Sequence, residues 1–271
     1  MKQQKMLRLV ETGLLLAVAG VLSMVKVLDL PYGGSITAFS ALPILLIGYR
    51  YGTGWGLFAG FGYALIQLFL GMSTLSYATS AGAAVAILML DYLLAFTVLG
   101  LGGIFRNKVA NQGPALVLGA VFTGILRYTL HVIAGCTVWA GLSIPTQAAL
   151  VYSLAYNATY MVPEIIVTAL GAHYLSRAVD LREQIPTRAK TITGNKAAAA
   201  LSMARAACLL TGGVWFVVEL FRPLQDPETG NLVLTNLSRC NWLLMAIVLG
   251  AAVVASLILT LVRHILTKTK A

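Results

Sequence analysis

Long apolar runs, separated by short clusters of charge, glycine and proline, constrain this chain more than any other feature. A helix crossing about 30 Å of hydrocarbon needs roughly 20 mainly apolar residues, and the chain supplies that many times over. The runs predict eight spans, at about 7–28, 36–49, 55–72, 79–104, 114–138, 147–175, 200–221 and 241–266. Of 271 residues, 59% are hydrophobic and only 10% charged, against about 25% charged in a soluble domain. A bilayer gives backbone N–H and C=O groups no partner, so an open chain crosses it as helices. The expected fold class is an all-α integral membrane protein. The second and third runs are short and glycine-rich (Gly48, Gly52, Gly54, Gly56, Gly60, Gly62), which predicts close helix contacts or an irregular turn.

A net charge of +10 would suggest nucleic acid in a soluble protein, but here the bases collect between apolar runs, and no nucleic-acid partner is expected. With the N-terminus placed inside, all but four of the 19 Lys and Arg residues fall on the inner side; the four are Lys26, Arg127, Arg222 and Arg239. That asymmetry predicts an even number of crossings of the cell membrane with both termini cytoplasmic. The N-terminal apolar run is longer than a signal-peptide core and reads as the first helix. A polar, basic break divides the chain into a six-helix membrane domain at 1–180, a cytoplasmic linker at 181–199 and a two-helix appendix at 200–271. The outer loop of the appendix, with Asp226-Pro227-Glu228-Thr229-Gly230-Asn231, reads as a turn-rich hairpin.

Signals for bond-making chemistry are lacking. Cys136, Cys208 and Cys240 are odd in number, widely spaced and set in or beside apolar runs, so no disulfide framework or metal site is read from them. The nearest approach to a phosphate-cradling loop, Thr193-Gly194-Asn195-Lys196, lacks both the first glycine and the final Ser/Thr. Zinc-protease and nucleophile-elbow patterns are absent as well. The chain is expected to be no enzyme and to hold no cofactor, and any ATP-driven step falls to a partner.

What remains is polar chemistry at membrane depth, which marks a functional site by default. Asp91 interrupts the fourth run, either as half of a buried ion pair with Arg127 or as counter-charge for a cationic ligand. Arg127, His131, Gly135 and Trp139 recur every four residues along one face of the fifth. Gly135 would let a planar ligand approach the backbone, and Trp139 would stack on it or sit as an interfacial belt residue. In the sixth run, Asn157, Tyr160 and Glu164 share a face, Pro163 predicts a kink, and Tyr152 and Tyr156 fall near the outer interface. Together these residues describe a polar, aromatic pocket for a small ring-bearing molecule. On the first run, Gly13 with Ala17 and Ala19 with Ser23 form small-residue pairs suited to docking a partner helix or to internal packing.

Several stretches, in order, resemble the thiamine-specific substrate-binding (S) components of energy-coupling factor transporters, the ThiT family. They are Leu30-Pro31-Tyr32-Gly33-Gly34-Ser35, Arg50-Tyr51-Gly52 with Trp55-Gly56, Leu90-Asp91-Tyr92-Leu93-Leu94-Ala95-Phe96, Arg127-Tyr128 with His131, Gly135 and Trp139, and Tyr152 to Asn157 through Tyr160-Met161-Val162-Pro163-Glu164. The resemblance implies a six-helix bundle with an outward-facing thiamine pocket, in a complex with a transmembrane coupling subunit and two cytoplasmic ATPase subunits. It implies binding roles for Asp91, Tyr92, Arg127, His131, Gly135, Trp139, Tyr152 and Asn157, with Asp91 facing the cationic ligand. Arg127 stands where the family often has Lys, and Gly13, Ala17, Ala19 and Ser23 only approximate its docking motif. The two C-terminal helices fall outside the six-helix pattern. A stand-alone transporter of a small heterocyclic cation, coupled to protons through Asp91, His131 or Glu164, is the alternative.

Overall fold

The computed structural model describes residues 2–30, 34–139, 147–188, 196–224 and 233–268. The predicted turn 226–231 and residues 189–195 of the linker lie outside them. The chain divides into two compact units, 1–187 and 188–271. In the first, α1 (Lys2–Met24) leads into an antiparallel hairpin of β1 (Lys26–Asp29) and β2 (Ser35–Thr37). There follow α2 (Leu42–Tyr51), α3 (Thr53–Leu70), α4 (Ala81–Gly103), α5 (Gln112–Ala134) and α6 (Gln147–Ala178). The second unit contains α7 (Lys196–Leu224) packed along α8 (Trp242–Lys268), close enough that a Cβ on Gly212 would lie 2.6 Å from that of Ala252.

Two of the expected spans differ. The first helix ends at Met24 rather than near 28, and the second begins at Leu42 rather than near 36, because the apolar residues between them form the hairpin. Val25, Val27 and Ile36 are β-branched and suit a pleated ladder, while Phe39, at φ 65°, breaks any helix that would start earlier. Pro43 in the first turn then sets the start of α2. Ten residues of α2 reach only about 15 Å, half a bilayer, and every residue from Pro43 to Arg50 is buried. Such a helix is a core element, apolar all round. Among the described residues six helices are long and apolar enough to cross a membrane, namely α1, α3, α4, α5, α7 and α8. The 32 residues of α6 are long enough, but its polar stripe lowers its mean hydropathy.

The first unit is assembled around α2. Ile44 and Ile47 pack with Tyr63, Ile87 and Phe96 on one side, and Leu45 and Tyr49 with Leu116, Ala120 and Ala172 on the other. Glycines bring the backbones together: a Cβ on Gly48 or on Gly56 would collide with the carbonyl oxygen of Gly100, and one on Gly60 would come within 2.5 Å of Thr97 O. The α2–α3 corner is turned by Gly52 at φ 90°, a conformation that a side chain would strain.

Candidate functional site

The polar residues of α4, α5 and α6 converge on a cavity of about 1090 Å³, walled also by the hairpin and by the end of α3. In α4, Leu88–Leu94 form a wide π-type turn, an irregularity that re-aims side chains and is common at functional sites; Asp91 and Tyr92 sit on it. A second wide turn, Gly135–Trp139, ends α5.

His131 stands between the two charges of the wall, buried Arg127 and partly buried Asp91. Its Nδ1 is 2.8 Å from Asp91 Oδ1, and Arg127 Nε donates to its Nε2 at 3.3 Å. An Nε2 that accepts is unprotonated, so the tautomer this geometry selects carries its hydrogen on Nδ1 and donates to the carboxylate. The result is a line of carboxylate, neutral imidazole and guanidinium. The Asp91–Arg127 pairing considered from sequence is thus bridged by His131. The guanidinium also lies over the Phe96 ring, 4.3 Å from its centroid, a favourable cation–π placement in a dry wall.

The face of α6 supplies the aromatic side. Tyr152 and Tyr156 stack at 6.2 Å between centroids and 4° between planes, and Tyr160 turns edge-on to both Tyr156 and His131. Asn157 ties α6 to α5: its Nδ2 donates to Ser153 O at 2.9 Å and His131 O at 3.3 Å, while its Oδ1 accepts from Tyr160 Oη at 2.6 Å. Ser153 Oγ donates to Val132 O at 2.8 Å. Glu164, buried one turn below, holds the hairpin, accepting from Thr37 N at 2.9 Å and Thr37 Oγ1 at 2.8 Å. Higher up, Gly34 N donates to Tyr156 Oη at 3.3 Å.

Of the residues picked out from sequence, Asp91, Tyr92, Arg127, His131, Gly135, Tyr152 and Asn157 all line this cavity. The side chain of Trp139 lies outside the description. Tyr92 Oη donates to Gly71 O at 2.9 Å and so closes the end of α3 as well as facing the cavity. The missing side chain of Gly135 makes room for Ser153, with which a Cβ would collide, rather than for a ligand alone. Sequence reasoning passed over Ser153 and Gln67. The Gln67 Nε2 is buried with no hydrogen-bond partner among the described residues, and the signal that could have found it was the one that found Asp91, a polar group inside an apolar run. The small-residue pairs of α1 divide: Gly13 and Ala17 face outward, whereas Ala19 is in the core and Ser23 lines the cavity. Among the described residues no three His, Cys, Asp or Glu side chains converge as a metal site would require.

Comparison with known proteins bears on this geometry. Residues 9–180 match the family described as Thiamine transporter protein (Thia_YuaJ). The thiamine transporter ThiT of Bacillus subtilis (strain 168) is 35% identical over 182 residues, covering 63% of this chain and 91% of that protein. The thiamine transporter ThiT of Lacticaseibacillus paracasei is 28% identical over 175 residues, covering 58% and 81%. A solved structure of ThiT from Listeria monocytogenes superposes with a TM-score of 0.51 at 24% identity, over 64% of this chain and 94% of that one, which establishes the likeness of fold.

Proposed function

The chain belongs to the thiamine transporter protein family, a family of transporters and not of enzymes, and from that premise we propose that its cavity captures thiamine from outside the cell. We take it to be the substrate-binding subunit of an ATP-driven uptake complex, with a transmembrane coupling subunit and two ATPases supplying the energy. Thiamine carries a permanent positive charge on one flat ring and a hydrogen-bonding aminopyrimidine on the other. The observation that carries the reading is the Asp91 carboxylate, fixed by His131 at 2.8 Å on a cavity wall that continues into the stacked Tyr152 and Tyr156. A carboxylate orients the cationic ring, tyrosine faces stack on a flat one, and Gln67 Nε2 offers an unused donor. Arg127 lines the cavity too, and its guanidinium, on the far side of the imidazole, offsets the charge of Asp91.

Isothermal titration of the detergent-purified chain with thiamine and with its uncharged oxidised analogue thiochrome tests the binding. Saturable binding of thiamine that thiochrome does not match is the expected result; equal binding of both removes the role of charge. Uptake into vesicles then separates energy sources. The proposal requires the partner subunits and ATP, whereas transport by this chain alone, collapsing with the proton gradient, would identify the secondary-transporter alternative.

A further inference from the structure

A second cavity, of about 350 Å³, opens beside the first turns of α1. The thiamine cavity meets α1 at Ser23 and Met24, so at about 1.5 Å per residue the two lie roughly 25 Å apart, at opposite ends of the helix. Five cations line the second one, Lys5, Arg8, Arg50, Arg106 and Arg182, against the single carboxylate of Glu183.

Most of these cations are positioned by groups that leave their charge standing. Arg182 donates to Tyr49 Oη at 3.1 Å and to the carbonyls of Ala110 and Val109 at 2.6 and 3.0 Å. Arg106 donates to Arg50 O. Arg50 is the exception: besides the carbonyls of Leu181, Glu183 and Gln184 it holds Glu11 in an ion pair. Carbonyl and phenol oxygens satisfy a guanidinium's donors without cancelling its charge. Arg8 lies over Trp55, its Cζ 3.9 Å from the ring centroid, and its buried Nε has no hydrogen-bond partner among the described residues. The cleft therefore gathers fixed positive charge, and the Arg8 Nε beside it has a donor unpaired.

We propose that this cleft binds a phosphate group, and that an anionic phospholipid headgroup is the source the surrounding surface fits. Met6, Leu9, Val10 and Leu14 on the same stretch of α1 are exposed apolar side chains, so acyl chains can lie along the helix while the headgroup enters the cleft. Basic pockets between membrane helices take lipid headgroups by the same physics, and an arginine fork matches two phosphate oxygens at once. Free inorganic phosphate presents the same oxygens without the chains.

The full chain, purified and delipidated in neutral detergent, is titrated with phosphatidylglycerol, phosphatidylcholine or inorganic phosphate, and bound ligand is counted by native mass spectrometry. One phosphatidylglycerol retained well above phosphatidylcholine, with about fivefold weaker retention for each cation removed in Lys5→Gln and Lys5→Gln/Arg8→Gln, is the expected result. Retention should return in Lys5→Arg/Arg8→Lys. Inorganic phosphate held by the wild type and lost in the same variants would assign the site to free phosphate. Phosphatidylglycerol held equally by wild type and the glutamine variants, or no better than phosphatidylcholine with no phosphate bound, overturns the proposal. Lys5 is exposed, so the single variant decides the matter if the double variant does not fold.

Discussion

Substituting Gly135 by alanine separates two accounts of why that residue has no side chain. If the gap serves the α5–α6 contact, the new methyl collides with Ser153 Oγ and lies 3.2 Å from Ser153 Cβ and 3.4 Å from Asn157 Nδ2. Overpacking of this kind costs about 1–3 kcal/mol. Rotating Ser153 away to relieve it breaks the bond to Val132 O, about 1 kcal/mol, while replacing glycine by alanine in a helical turn returns about as much. The net expectation for Gly135→Ala is therefore a loss of about 1–3 kcal/mol in stability. Adding Ser153→Ala removes the colliding oxygen and leaves only the 3.2 Å approach to Cβ, which a few tenths of an ångström relieve, so the double variant should recover most of the loss. Thermal unfolding of the detergent-purified chain, followed by elution of the monodisperse fraction after heating, measures both. If the gap serves ligand approach alone, Gly135→Ala leaves stability unchanged, weakens thiamine binding, and is not rescued by Ser153→Ala. That pattern would refute the packing argument.

Asp91→Asn keeps the shape of the side chain but removes the charge facing His131. It should weaken thiamine binding roughly tenfold to a hundredfold by calorimetry, from the about 1.5–3 kcal/mol of a charge-assisted hydrogen bond; unchanged affinity would remove Asp91 from the site. Glu164→Gln loses one of the two acceptors that hold Thr37 and should lower thermal stability by about 1.5–3 kcal/mol, with protease sensitivity rising at the hairpin first. Arg50→Gln leaves Glu11 without its counter-charge, held by Tyr51 Oη, and frees three carbonyls near residues 181–184. A loss of about 3–5 kcal/mol is expected, read as poor recovery of folded chain at growth temperature, and a fully stable variant would show the cluster to be dispensable.

The stretches legible in the sequence were those where one side chain breaks a run. Asp91 among apolar residues, and Arg127, His131 and Gly135 at steps of four, are one-dimensional signals, and all four residues line the cavity. Relations between elements were not legible. Spacing along α5 puts His131 beside Arg127, but nothing in the sequence says that α4 meets α5 with Asp91 on the far side of the imidazole. Glu164 was evident as a polar group in need of a partner, yet that partner, Thr37, lies 127 residues away in a hairpin that the apolar pattern assigned to helices. Averaging over a helix-length window hid the hairpin, since Val25, Val27, Leu28 and Ile36 raise hydropathy whichever way the backbone runs. On α6 the sequence did show Tyr152, Tyr156, Asn157, Tyr160 and Glu164, but not Ser153, whose place in the wall depends on its contacts with Val132 and Gly135 of α5 and the turn after it.

That wall and the others are held by different forces, and the difference orders their resistance to displacement. The helices α2, α3 and α4 meet backbone to backbone at Gly48, Gly56, Gly60 and Gly100; drawing them apart opens a void that no side chain fills, at about 24 cal/mol per Å³ of cavity. The hairpin buries Leu30 and Ile36 and is tied to α6 by polar contacts, Glu164 to Thr37 and Tyr156 to Gly34. Each such bond contributes net only about 0.5–1.5 kcal/mol, rising to about 1.5–3 for those to the carboxylate. Thr37 also bonds Ser40 at 2.6 Å, within its own segment, and that bond survives if the hairpin moves. The hairpin is accordingly the wall whose hold on α6 depends most on polar bonds, and Glu164, which accepts two of them, is the residue that anchors it.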